Sequence, residues 1–180
     1  ALKLREETLA LRKATLGPDH PHTLSSMNNL ASSYHDVGRY TDALERYEET
    51  LVLRKAKLGP DHPDTLLSMA NLAAGYQALG RHAEAVGFCE ETLALMRAKF
   101  PNHTFTFGCM NNLANTYESL GRLTEALKLR EETLALWKAK FGLDHPGTLS
   151  SMNDLANSYA SLGRHTDALN LFEETLALRK

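Results

Sequence analysis

One stretch of the chain, residues 24–39, comes back at 66–81, at 107–122 and at 149–164, with its anchors in fixed order: a Met, a Leu-Ala pair, a Tyr and a Gly-Arg. A chain that repeats at fixed period builds identical supersecondary units, and each buries its apolar flank against its neighbours rather than in one central core. The Leu of the Leu-Ala pair stands at Leu30, Leu72, Leu113 and Leu155, in steps of 42, 41 and 42. The glycines Gly38, Gly80, Gly121 and Gly163 keep the same steps. A Glu-Glu-Thr-Leu run begins at Glu6, Glu48, Glu90, Glu131 and Glu173, in steps of 42, 42, 41 and 42. The short step falls between Thr92 and Met110, and comparing residues 58–65 with 100–106 places the lost residue at the turn glycine.

Within each unit the first segment carries Leu24, Met27, Leu30, Ala31, Tyr34 and Val37, or their equivalents, at steps of three and four. That spacing predicts an amphipathic helix of about four turns, here called helix A. Pro18-Asp-His-Pro21, Pro60-Asp-His-Pro63 and Asp144-His-Pro146 precede it. The Asp is expected to cap the free amides, and the Pro suits a first turn that needs no backbone donor. Glycine should end helix A in a left-handed conformation. Helix B is expected from Thr41, Ala83, Thr124 and Thr166, with Thr as cap at three of the four starts. An acid follows each (Asp42, Glu84, Glu125, Asp167), where the helix dipole favours negative charge. Leu44, Tyr47, Leu51 and Leu58 mark its buried stripe. Small residues on both helices (Ala31, Ala73, Ala114, Ala156; Ala43, Ala85, Ala126, Ala168) allow close approach.

A short link between two amphipathic helices makes an antiparallel pair, and one pair cannot bury both stripes. The expected fold is therefore all-α, an α-solenoid of stacked antiparallel helix pairs wound as a right-handed superhelix with a concave surface. The array reads as one domain over 1–180: a half repeat of helix B alone at 1–16, then four A/B units at 17–58, 59–99, 100–141 and 142–180. Starting within a unit and without an initiator Met, it reads as a segment of a longer array.

At this point Leu30-Ala31, Tyr34, Gly38, Tyr40, Ala43, Tyr47 and Leu51 resemble the tetratricopeptide repeat signature. The 42-residue period, with its longer helix B and Leu-Gly-Pro-Asp-His-Pro turn, is similar to the repeats of kinesin light chains and of signalling NTPases. The resemblance implies a protein-interaction scaffold with peptides along the inner face of helix A. The matching residues are Asn28, Ser32 and His35; Ala70, Ala74 and Gln77; Asn111, Asn115 and Glu118; and Asn153, Asn157 and Ala160. Asn offers both a donor and an acceptor, which suits a peptide main chain. No basic pair stands at these positions to clamp a terminal carboxylate. Helix B departs from the family at its large aromatic position, which holds Tyr47 and Phe172 but Arg5, Cys89 and Arg130 elsewhere.

Charge and motif narrow the function further. Lys and Arg number 20 against 22 Asp and Glu, which argues against nucleic acid as partner, and no apolar run is long enough to cross a membrane. Cys89 and Cys109 are read as buried reduced thiols of a cytoplasmic protein, with a redox pair as the alternative. His20, His62 and His145 recur in one turn per unit and are read as structural, since neighbouring units stand too far apart to share a metal. Adjacent carboxylates such as Glu48 and Glu49 point in different directions on a helix, and no serine elbow or phosphate loop occurs. The chain is therefore expected to be no enzyme, to need no cofactor or metal, and to bind protein or peptide ligands. End-to-end self-association of the array, as a structural or regulatory segment of a larger signalling protein, is the second expectation. Phe105 and Phe107, peculiar to the third unit, leave two readings open: sequence drift, or a local apolar docking spot.

Overall fold

In the computed structural model, which describes residues 2–179, the sequence period becomes an alternation of 16-residue A helices with B helices, of 18–19 residues at α3, α5 and α7 and of 15 and 14 at α1 and α9. In order they are α1 (Leu2–Leu16), α2 (Pro21–Asp36), α3 (Tyr40–Leu58), α4 (Pro63–Ala78), α5 (His82–Lys99), α6 (Thr104–Ser119), α7 (Leu123–Phe141), α8 (Pro146–Ser161) and α9 (His165–Leu178). There is no strand among the described residues. The chain forms two compact units, Ala1–Leu95 and Met96–Lys180. In the first, α1 packs on α2, α2 on α3 and α3 on α4, and α2 also touches α4. In the second, α6 packs on α7, α7 on α8 and α8 on α9. Each unit is thus a run of consecutive helix pairs, the all-α solenoid arrangement expected from the period.

The core follows the predicted stripes except at Val37, which caps the C-terminus of α2 and is 60% exposed. Met27, Met69, Met110 and Met152 are fully buried, as are Ala31, Ala114, Ala156, Ala43, Ala85 and Ala126. Leu134, Leu149, Met152 and Leu155 form one such cluster between α7 and α8, with Leu127, Tyr159, Leu171 and Leu178 packed on it. The Thr of every Glu-Glu-Thr-Leu run turns its hydroxyl back on the carbonyl four residues earlier, as Thr50 does to Arg46 at 2.7 Å and Thr133 to Leu129 at 2.7 Å. That bond lets a polar side chain sit in a packed seam without an orphaned hydroxyl.

Three local expectations are corrected. The cap of helix A is His, not Asp. Nδ1 of His20, His62, His103 and His145 accepts the amide of the residue two on, at 3.2, 3.1, 3.2 and 3.0 Å. Asp19, Asp61 and Asp144 stand one residue too early to reach that amide, and Asp19 instead receives Lys57 Nζ at 2.9 Å. Helix B begins one residue before the predicted Thr, with Arg39, Arg122 and Arg164 at the cap position and no side-chain cap bond. The reason is the turn before it. Gly38 takes a φ of 78° and the Arg39 amide donates to Tyr34 O at 2.8 Å, a Schellman closure that leads straight into the next helix. Finally, the link before α6 keeps four residues, 100–103, like 59–62, and the lost residue comes out of α5, which has 18 residues where α3 and α7 have 19.

Candidate functional site

The faces of the A helices that carry the predicted ligand contacts are already partly engaged, and the engagement differs between the two units. In the first unit Asn28 is buried, and its Oδ1 accepts Nδ2 of Asn71 at 2.9 Å, joining α2 to α4. Ser32 donates to Asn28 O at 3.1 Å and accepts the Tyr47 hydroxyl at 3.2 Å. Burial raises the Tyr47 phenol above its ordinary pKa, an effect the Ser32 bond partly offsets. His35 lies edge-on to Tyr40 at 5.2 Å. Gln77, on α4, is half-buried, and the small residues Ala70 and Ala74 precede it on the same face.

In the second unit the corresponding residues converge on one buried cation. Arg130 of α7, at a position where Tyr47 and Phe172 stand in other repeats, is 5% exposed. Its guanidinium donates to Asn111 Oδ1 at 3.4 Å, to Asn115 Oδ1 at 2.8 Å and to Glu118 Oε2 at 2.8 Å. Asp154 of α8 stands 3.8 Å from its other terminal nitrogen. The second oxygen of Glu118 accepts the Ser158 hydroxyl at 2.6 Å, so this carboxylate also ties α6 to α8. Three predicted contacts, Asn111, Asn115 and Glu118, are therefore brought together by a residue the sequence reading singled out only as a departure. Asn157 is exposed and Asn153 half-buried on α8.

Beside this cluster lies a cavity of about 190 Å³ between α6 and α8, floored by Trp137 of α7. Phe107, Gly108, Asn111, Gly147 and Asp154 are among its walls. Of the two phenylalanines peculiar to this repeat, Phe107 belongs to the core, 1% exposed and edge-on to Trp137 at 5.2 Å. Phe105 is 54% exposed against His103.

Two further constellations escaped the sequence reading. The Gly-Arg arginine lies over the ring of the helix A tyrosine: Arg39 over Tyr34 at 4.4 Å, Arg81 over Tyr76 at 4.5 Å, Arg122 over Tyr117 at 4.1 Å, Arg164 over Tyr159 at 4.3 Å. Each of these arginines also pairs with the first-turn acid of helix B, as Arg39 Nε does with Asp42 at 2.6 Å. And Arg12 and Arg54, at the position Trp137 fills later, each cross to the next A helix. Arg54 donates to Asp64 O at 2.7 Å and to Ser68 Oγ at 2.8 Å; burial pulls its pKa down. The signal was available in principle, since Arg12 and Arg54 stand 42 residues apart in register with Ser26 and Ser68. Cys89 and Cys109 are buried, as expected.

The tetratricopeptide repeat family profile matches residues 1–56, 26–98 and 106–180. The chain belongs to the tetratricopeptide repeat family. Two crystal structures of a Podosopora anserina protein assigned as a kinesin light chain, with nearly identical TPR-like repeats, share 30% identity with it. They superpose with TM-scores of 0.88 and 0.85, over 99% of this chain and 84% and 85% of theirs. BtubC (BKLC) from P. vanneervenii shares the fold at 24% identity and a TM-score of 0.79, over 97% of this chain and 69% of that one. No curated protein matches the chain. In this tetratricopeptide repeat chain, no helix among the described residues is long and apolar enough to cross a membrane.

Proposed function

We propose that the chain is a non-catalytic scaffold that holds an extended peptide or protein segment along the faces of its A helices. Repeats of this family generally serve as protein-interaction scaffolds, and that is the general part of the reading. The particular part rests on the second unit. With Oδ1 of both Asn111 and Asn115 occupied by Arg130, their Nδ2 groups keep fixed orientations and remain able to donate to peptide carbonyls. Asn153 and Asn157 extend that row on α8; Asn28, Ser32, His35 and Gln77 are the counterparts in the first unit. A cytoplasmic setting suits the buried thiols Cys89 and Cys109.

Selection from a random peptide display library, followed by Asn115→Leu and Asn157→Leu variants, tests the reading. Selected peptides should lose at least tenfold in affinity to both variants while the fold is kept. Peptides that bind both variants as well as the parent chain would remove the Asn row from the site.

A second reading, end-to-end association, is favoured by one observation. Leu169, Phe172 and Leu176 lie on one face of α9 and are 56%, 37% and 59% exposed. Their counterparts Leu44, Tyr47 and Leu51 on α3 are 6%, 4% and 5% exposed beneath neighbouring helices. The α9 face therefore suits another A-type helix, from a further repeat or a second copy. Light scattering across a wide concentration range decides: growth in mass supports association, and a constant monomer mass sinks it.

A further inference from the structure

The cavity between α6 and α8 has a chemical bias of its own. Its two small walls are glycines, Gly108 and Gly147, where the corresponding positions elsewhere are Ser25, Leu67 and Ser150, and His22, Asp64 and Phe105. A Cβ on Gly108 would meet nothing within 4 Å, so this residue opens directly on free space. A Cβ on Gly147 would instead come within 3 Å of the Trp137 ring, so the indole has taken the room its absence leaves. About 190 Å³ is roughly six waters' share of liquid volume, below the ~300 Å³ at which small-molecule pockets begin. It is the size of one long side chain.

The charge of that side chain follows from the walls. Asp154 is the one ionised residue lining the cavity. Arg130 is divided between two acids: its short bonds go to Glu118 and Asn115 at 2.8 Å, and Asp154 stands 3.8 Å from its other terminal nitrogen. Glu118, Asp154 and Arg130 together sum to one surplus negative charge. Trp137 adds aromatic surface, which attracts cations and repels anions at the ring face. We infer that this cavity is a side-chain pocket for a Lys or Arg of the bound peptide, a specificity element resting on the peptide-scaffold reading above.

Trp137 is the only tryptophan of the chain, so its fluorescence reports from the pocket floor. The intact chain is titrated with heptapeptides, acetylated and amidated, that carry Arg, Lys, citrulline or Glu at the centre of one Gly-Ser-Asn host. The Arg and Lys peptides should change the emission saturably and bind at least tenfold tighter than the citrulline peptide, with the Glu peptide weakest. Gly108→Leu and Asp154→Asn should each abolish most of that preference. Both variants place a residue that the fold already accepts at the matching position, Leu67 and Asn71, and thermal unfolding checks that they remain folded; if one does not, the other decides. Equal affinity for Arg and citrulline peptides, or an unchanged preference in the variant, overturns the pocket. Peptides that shift backbone amide resonances along the A helices without moving the Trp137 emission also overturn it, and leave the scaffold reading standing. Absence of binding by any peptide in either measurement removes both.

Discussion

The hydroxyl of Tyr34 donates to Glu6 Oε1 at 2.7 Å, so α2 is fastened to α1, the helix B before it, by a phenol on a carboxylate. Tyr76 does the same to Glu48 at 2.8 Å, and Tyr159 to Glu131 at 3.2 Å. The bond to Glu6 pushes the Tyr34 phenol above its ordinary pKa, with burial second; at Tyr76 and Tyr159 burial is the larger cause. A raised folded pKa means stability that is complete below the unfolded value of about 10 and is lost as pH rises through the folded value. Tyr34→Phe should cost about 1.5–3 kcal/mol in urea unfolding at neutral pH, the worth of a hydrogen bond to a charged group. It should also flatten the loss of stability above about pH 10.

At the acid end the sign reverses. The Lys57 bond holds the Asp19 carboxyl below its ordinary value, and Arg81 and Arg122 do so for Glu84 and Glu125. Groups with depressed folded pKa contribute stability above the unfolded value, about 4, and lose it as pH falls through the folded one. Lys57→Met should reduce the slope of stability against pH between about pH 5 and 2, read from thermal midpoints, and high salt should shrink the difference.

The histidine caps are testable one at a time. His62→Ala removes the acceptor for the Asp64 amide and should destabilise by about 0.5–2 kcal/mol, whereas His62→Asn, which carries an acceptor of similar reach, should restore most of it. Guanidinium melts of the two variants make the comparison. Equal losses would remove the capping role.

Arg130 is buried with three polar partners and an acid nearby, so truncating it strands Glu118. Arg130→Met should cost about 3–5 kcal/mol, and adding Glu118→Gln should recover part of that, because the unpaired charge rather than the lost pair dominates. Double-mutant analysis of chemical unfolding measures the recovery.

The fold was legible because three signals agreed at each unit: apolar spacing of three and four, a glycine where helix A ends, and a 42-residue return of both. Caps were less legible. Asp is the commoner capping residue and stands beside His in three turns, but only the position one residue later can reach the first free amides. The candidate site was legible as a face and not as a set of contacts. Asn111, Asn115 and Glu118 share a helix stripe, yet their common partner Arg130 lies 12–19 residues away on the next helix, and only side-chain reach reveals it. The pocket was hidden for a related reason: it consists of missing atoms at Gly108 and Gly147, and its meaning depends on Trp137 filling one gap and not the other.

The most direct test of the account is amide chemical-shift mapping of the isotope-labelled chain with a library-selected peptide. The account predicts that the largest shifts fall on the A helices, around Asn111, Asn115, Asn153 and Asn157, with those of α9 near Leu169 and Leu176 unmoved. Shifts confined to α9, or to the exposed faces of the B helices, would contradict it.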